Sequence, residues 1–230
     1  MTAETRRKLG GSGLFYRFIR AVLFITYKCC FRFKSFGSEQ VPGEEDARGV
    51  ILAPNHASYL DPPLLGISLK RRVTYLAKAY LFEHFFVGFI LRSIGAYPIK
   101  TESGNDFRSV RDLVRLLKQG HCVTVFPEGT RSETGEFREP ESGIGFLAMK
   151  SGAWVVPVHI KGSYAAFPKG AKNFKCRPIE MHYGRAFIPA ESKEWAAMED
   201  PYTAVSQRIM QDIKDLKEVG ATGRSPVQRV

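Results

Sequence analysis

Residues 55–62, Asn-His-Ala-Ser-Tyr-Leu-Asp-Pro, place one imidazole and one carboxylate in a short polar stretch. On a helix, His56 and Asp61 would lie about 140° apart, so they meet only if the chain turns between them. Pro54, Asn55, Ser58 and Pro62 favour such a turn. A carboxylate that holds one imidazole nitrogen leaves the other free to take a proton, which is the arrangement of a general base. No G-x-S-x-G serine elbow occurs in the chain, so the base is expected to activate a hydroxyl that a substrate brings in. A structural hydrogen-bonded pair is the other reading of the same two residues.

A second polar stretch, Phe126-Pro127-Glu128-Gly129-Thr130-Arg131-Ser132, also opens out of an apolar run. Glycine permits close backbone approach to a ligand, and arginine offers a planar fork that fits phosphate oxygens. Alone, this loop could be an ordinary turn with a surface ion pair. With Asn-His-x-x-x-x-Asp before it, the pattern over residues 49–167 resembles the glycerolipid acyltransferase family. Within that family it is most similar to the bacterial 1-acylglycerol-3-phosphate acyltransferases.

The resemblance implies acyl transfer from an acyl thioester, carried by coenzyme A or acyl carrier protein, to the hydroxyl of a lysophospholipid acceptor. No acyl-enzyme, cofactor or metal is implied. His56 and Asp61 are then catalytic, and Lys100, Glu128, Gly129 and Arg131 bind substrate. Lys100 stands where the family commonly has a basic residue at a strand end, although the surrounding Lys-Thr-Glu-Ser departs from the usual arginine-containing pattern; Arg108 is the understudy. Glu128 beside a phosphate needs a partner, so it is expected to hold Arg131 or to hydrogen-bond a glycerol hydroxyl. The alternatives are an acyltransferase for another lysolipid, such as a lyso-ornithine lipid, and a non-catalytic phospholipid-binding protein.

Charge narrows the partners further. Lys and Arg total 34 against 23 Asp and Glu, a formal charge of +11. From Arg6 to Lys34 there are eight basic residues and no acidic one. A basic block interleaved with aromatics points to an anionic membrane surface and away from nucleic acid. The four cysteines show no metal-ligand or disulfide spacing. Over residues 14–33, Arg17, Arg20, Lys28 and Arg32 fall on one arc of a helix, with Phe18, Val22 and Ile25 on the other face. The longest uncharged run there, residues 21–27, is far short of the roughly 20 residues of a spanning helix. The helix is therefore expected to lie in the headgroup region with its cationic stripe outward, peripheral or monotopic on the cytoplasmic face of the cell membrane. The apolar residues 81–91 read as a buried helix or as a lipid-facing one.

The remaining pattern is of short apolar strands alternating with helices. Strands are expected at 49–53, 73–77, 95–100, 122–126, 154–160 and 178–183, and helices at 64–69, 106–118, 144–151 and 202–217. Residues 36–48 read as loop, and His159, on an apolar strand, reads as a core histidine. The expected architecture is α/β, a mainly parallel central sheet flanked by helices with an N-terminal amphipathic membrane-associating element. The divisions are residues 1–35 for that element, 36–218 for the acyltransferase domain and 219–230 for a disordered tail.

Overall fold

Residues 50–53, Val-Ile-Leu-Ala, are all fully buried, and their side chains alternate between two cores, as a strand inside a sheet requires. Val50 and Leu52 join one apolar cluster and Ile51 and Ala53 the other. The computed structural model describes residues 13–94, 96–99 and 107–222. The strand is β2 (Val50–Pro54), and it lies within a six-stranded sheet of order β1-β8-β7-β2-β6-β3. The neighbours are β1 (Lys34–Phe36), β3 (Val73–Thr74), β6 (Cys122–Thr124), β7 (Trp154–Lys161) and β8 (Glu180–Tyr183). Every pairing is parallel except β7 with β8.

Helices cover both faces. On one side lie α1 (Gly13–Phe31) and α2 (Asp61–Ser68), which bury Tyr27, Phe31, Leu64 and Leu65 against the sheet. On the other lie α4 (Phe107–Lys118), α5 (Ser142–Ser151) and α8 (Pro201–Thr222), through Leu113, Leu117, Leu147, Ile209 and Ile213. A separate two-stranded parallel ribbon joins β4 (Leu76–Lys78) to β5 (Tyr97–Ile99), with α3 (Phe85–Ser93) between them in sequence. Two short helices, α6 (Ser163–Ala166) and α7 (Lys193–Ala196), lie in the connections.

Three expectations change. The run at 73–77 is two strands in two sheets, broken at Tyr75. Residues 34–36, read as the end of the N-terminal segment and the start of a loop, form the edge strand β1 beside β8. The helix that follows His56 begins at Asp61 rather than Leu64, because prolines at the first helical positions leave no intrahelical bond unmade. Lys100 and residues 1–12 and 223–230 lie outside the described residues.

The N-terminal helix is docked rather than appended. Tyr27 donates its hydroxyl to the Leu60 carbonyl, and Arg20 donates to the Leu69 carbonyl. The four cations therefore do not form one outward stripe: Arg20 faces the body, while Arg17 and Lys28 are exposed. What α1 turns outward is largely apolar, with Leu14, Phe18 and Ile25 at 79%, 63% and 61% exposure. Phe85 and Phe89 of α3 are also exposed. Among the described residues no helix is long and apolar enough to cross a membrane.

Two buried polar side chains stand out beyond the exits of β2 and β6. Arg71 donates to the carbonyls of Pro42, Gly43, Arg48 and Gly120, tying the segments that enter β2 and β6. His159 of β7 is buried opposite His182 of β8, with ring centroids 6.3 Å apart. Burial, with the His182, Lys217 and Lys161 charges behind it, pushes the His159 pKa down from 6.5 to about 4. Above pH 6.5 the folded and unfolded states are both neutral at this residue, so it costs nothing there. Below it the unfolded chain takes a proton that the folded state refuses. Stability should fall by roughly 2 kcal/mol from this group between pH 7 and pH 5. Urea unfolding across that range should show this acid limb, and His159→Phe should flatten it.

Candidate active site

Parallel pairing of β2 with β6 makes both strands end at the same edge of the sheet, in register from Val50–Cys122 to Leu52–Thr124. The two polar stretches therefore leave side by side, although about 70 residues separate them in sequence. Asn55 manages the exit of the first. Its side chain donates to the Ile160 carbonyl at 3.1 Å and accepts the Ile160 N–H at 2.7 Å, standing in for one more peptide group on β7.

Asp61 organises the turn that follows. Its Oδ2 accepts the Ala57 N–H at 2.8 Å, the Ser58 N–H at 2.7 Å and the His56 Nδ1 at 2.9 Å. The side chain is wholly buried at the first turn of α2, where the helix dipole favours negative charge. An ionised carboxylate only accepts, so His56 carries its proton on Nδ1 and presents Nε2 as the acceptor. The imidazole lies flat on Phe126, centroids 3.7 Å apart and planes 19° from parallel. Its side chain keeps 15% of its surface open.

The second stretch clasps this loop. Glu128 Oε1 accepts the His56 backbone N–H at 2.8 Å, and the Ser132 N–H donates to the His56 carbonyl at 2.8 Å. Glu128 Oε2 takes the Arg138 N–H at 3.1 Å. Burial pushes the Glu128 carboxyl above its ordinary range, against the pull of those two N–H donors. Gly129 sits at φ 66° with Glu141 directly over the position of a Cβ, a turn only glycine makes without strain. Glu128 before it is buried, and Arg131 after it is half-buried. The Arg131 guanidinium rests on the Tyr59 ring, 3.5 Å from its centroid. Its Nη1 has no hydrogen-bond partner, and among the described residues the side chain makes no ion pair.

This arrangement is a proton acceptor next to an unneutralised cation, held by two loops that fix each other. A family model described as Acyltransferase matches residues 32–161, more than half of the chain. The chain belongs to the acyltransferase family. It is 27% identical over 203 residues to the 1-acyl-sn-glycerol-3-phosphate acyltransferase of Bacillus subtilis, covering 88% of this chain and 96% of that protein. A lyso-ornithine lipid O-acyltransferase from Pseudomonas aeruginosa is 29% identical over 121 residues, 53% of this chain and 46% of the relative. The fold is similar to that of PlsC, the 1-acyl-sn-glycerophosphate acyltransferase of Thermotoga maritima, with TM-score 0.70 and 24% identity over 90% of this chain and 81% of that one.

Of the acyltransferase residues expected from the sequence, His56, Asp61, Glu128, Gly129 and Arg131 converge here. Glu128 does not hold Arg131: both of its oxygens are taken by backbone N–H groups, and the Arg131 guanidinium lies instead on Tyr59. Tyr59 and Phe126 were not singled out by sequence reasoning. The available signal was an exposed aromatic inside a polar turn and an aromatic at the end of a strand. A cation on an aromatic face gains about 0.5–2 kcal/mol. Tyr59→Leu should therefore raise KM for an anionic acceptor about 3–30-fold with kcat little changed, while Tyr59→Phe stays near wild type. Steady-state kinetics with an anionic and a neutral acceptor test this.

Proposed function

We propose that this protein transfers an acyl group from an acyl thioester to the free hydroxyl of 1-acylglycerol-3-phosphate, giving phosphatidic acid. The observation that carries the reading is the His56–Asp61 pair, beside an arginine on the neighbouring loop that makes no ion pair among the described residues. The name of the full-length Bacillus subtilis relative supports the same acceptor.

His56 Nε2 takes the hydroxyl proton as the acceptor oxygen bonds to the thioester carbonyl carbon. Asp61 stabilises the imidazolium that forms. When the tetrahedral intermediate collapses, the carbon–sulfur bond breaks and the thiolate recovers the proton from Nε2. Oxygen attack is direct, so no residue is acylated. Arg131, and Lys100 beyond the described residues, hold the acceptor phosphate, and Gly129 lets it approach the backbone. Glu128 acts through His56, by fixing its backbone. The thiol carrier is coenzyme A or acyl carrier protein.

The acceptor lies in a bilayer, and α1 offers the means to reach it. Its exposed apolar side, flanked by Arg17 and Lys28, suits a helix lying in an anionic interface, on the cytoplasmic face where acyl thioesters are made. Because Tyr27, Phe31 and Phe33 belong to the core, this anchor is tested by substitution at Phe18 and Ile25 rather than by truncation.

A second acceptor, a lyso-ornithine lipid, is favoured by the name of the Pseudomonas relative. One variant tests the base and a second decides between the acceptors. His56→Ala should stay folded and lose about 10²–10⁴-fold in turnover, and near-normal turnover would remove the base from the mechanism. Arg131→Ala should weaken use of lysophosphatidate by about 1.5–3 kcal/mol, roughly 10–150-fold, with little change for a lyso-ornithine acceptor that has no phosphate. Equal losses on both acceptors, measured as kcat/KM in mixed micelles, would make Arg131 structural.

A further inference from the structure

Residues 167–178, between α6 and β8, contain Lys169, Lys172, Lys175 and Arg177 and no acidic residue. Lys169 pairs with Glu133 at 2.6 Å. Lys172, Lys175 and Arg177 are exposed and make no ion pair among the described residues. Between the two lysines sits Phe174, with 55% of its surface exposed. Like charges gathered without a counter-charge repel one another, and an exposed aromatic among them gains nothing from water. An external surface that is both anionic and apolar beneath its charge accommodates the two together.

The segment is also fixed in place. The Lys175 N–H donates to the Ala166 carbonyl at 2.7 Å, and the Ala171 N–H to that of Pro168 at 3.1 Å. At one end, Ser58 Oγ donates to the Phe167 carbonyl at 2.7 Å, a bond from the catalytic loop itself. At the other, the Ile179 N–H donates to the Phe31 carbonyl at 2.9 Å, and the Phe174 ring packs 5.7 Å from that of Phe31 at the end of α1. The loop thus bridges the end of the proposed membrane helix and a residue two positions from the base.

We propose that residues 167–178 are a second membrane contact, in which Lys172, Lys175 and Arg177 bind anionic headgroups and Phe174 enters the interface. Docking there brings the His56 loop to the bilayer surface, where the acceptor hydroxyl lies. The inference rests on the membrane reading of α1 given above, and adds a contact that this helix does not supply. Its chemistry is that of anionic phospholipid in a bilayer.

The test uses the full chain and vesicles of phosphatidylcholine alone or mixed with phosphatidylglycerol. With Lys172, Lys175 and Arg177 all changed to Gln, partition to the anionic vesicles should fall roughly 10–100-fold, with little change on the neutral ones. The emission of the Phe174→Trp variant, read against the parent protein with its own two tryptophans, should shift to the blue on anionic vesicles and be quenched by brominated lipid. Unchanged partition of the triple variant, together with unshifted emission from the vesicle-bound Phe174→Trp protein, would overturn the proposal. If Phe18→Ser with Ile25→Ser then abolished binding, the helix anchor would stand without the loop. A parent protein that fails to bind either vesicle would remove the anchor and this proposal with it. Undiminished vesicle binding with a raised KM for an acyl carrier protein donor, and not for acyl coenzyme A, would reassign the loop to an acidic protein.

Discussion

One buried carboxylate oxygen decides the geometry of the site. Asp61 Oδ2 collects N–H donors from three consecutive residues, 56–58, two from the backbone and one from the imidazole. A carboxylate without water is costly unless several donors surround it, so the turn and the charge stabilise each other. The turn cannot relax without stranding the buried Asp61 side chain, because two of the donors it would lose are backbone N–H groups of that turn. The position of the His56 ring follows from this constraint together with its stacking on Phe126.

Glu128 extends the same logic across the sheet edge. Its carboxylate spans from the His56 backbone to that of Arg138 and so joins two loops that leave parallel neighbouring strands. The family to which the chain belongs transfers acyl groups, a reaction in which two substrates must meet in one orientation, and much of its acceleration is available from position alone. Rigidity at this edge is complemented by Arg71 at the other end of the sheet, where four carbonyls surround one guanidinium.

Much of the site was legible because the chemistry needs particular residue types in a fixed order. The buried runs at β2 and β6, the His–Asp spacing and the Glu-Gly-Thr-Arg turn are all local patterns. What escaped was set by distant neighbours. Nothing in the local sequence says that Glu128 would find the His56 N–H, since a carboxylate next to an arginine reads first as its ion-pair partner. Strand β1 is three residues long and gains its identity only from β8. The apolar run at 73–77 gives no local sign that it changes sheets at Tyr75. The arc of cations expected over residues 14–33 did not foresee that Arg20 turns toward Leu69 or that Arg32 lies past the end of α1, because a helix wheel has no body beside it.

The stacking of His56 on Phe126 bears on timing. In the proposed reaction the same nitrogen must accept a proton from the acceptor and return it to the departing sulfur. An imidazole free to rotate could exchange its proton with water between those two events, leaving the thiolate unprotonated and the base in the wrong state. Held by Asp61 at one edge and covered by an aromatic face, the ring would keep its orientation through both steps of that proposed reaction. The electron-rich face of Phe126 also lies against the ring while it carries positive charge. In the proposed reaction Phe126 would thus act as a stop on ring rotation, keeping Nε2 aimed at one point for both proton transfers.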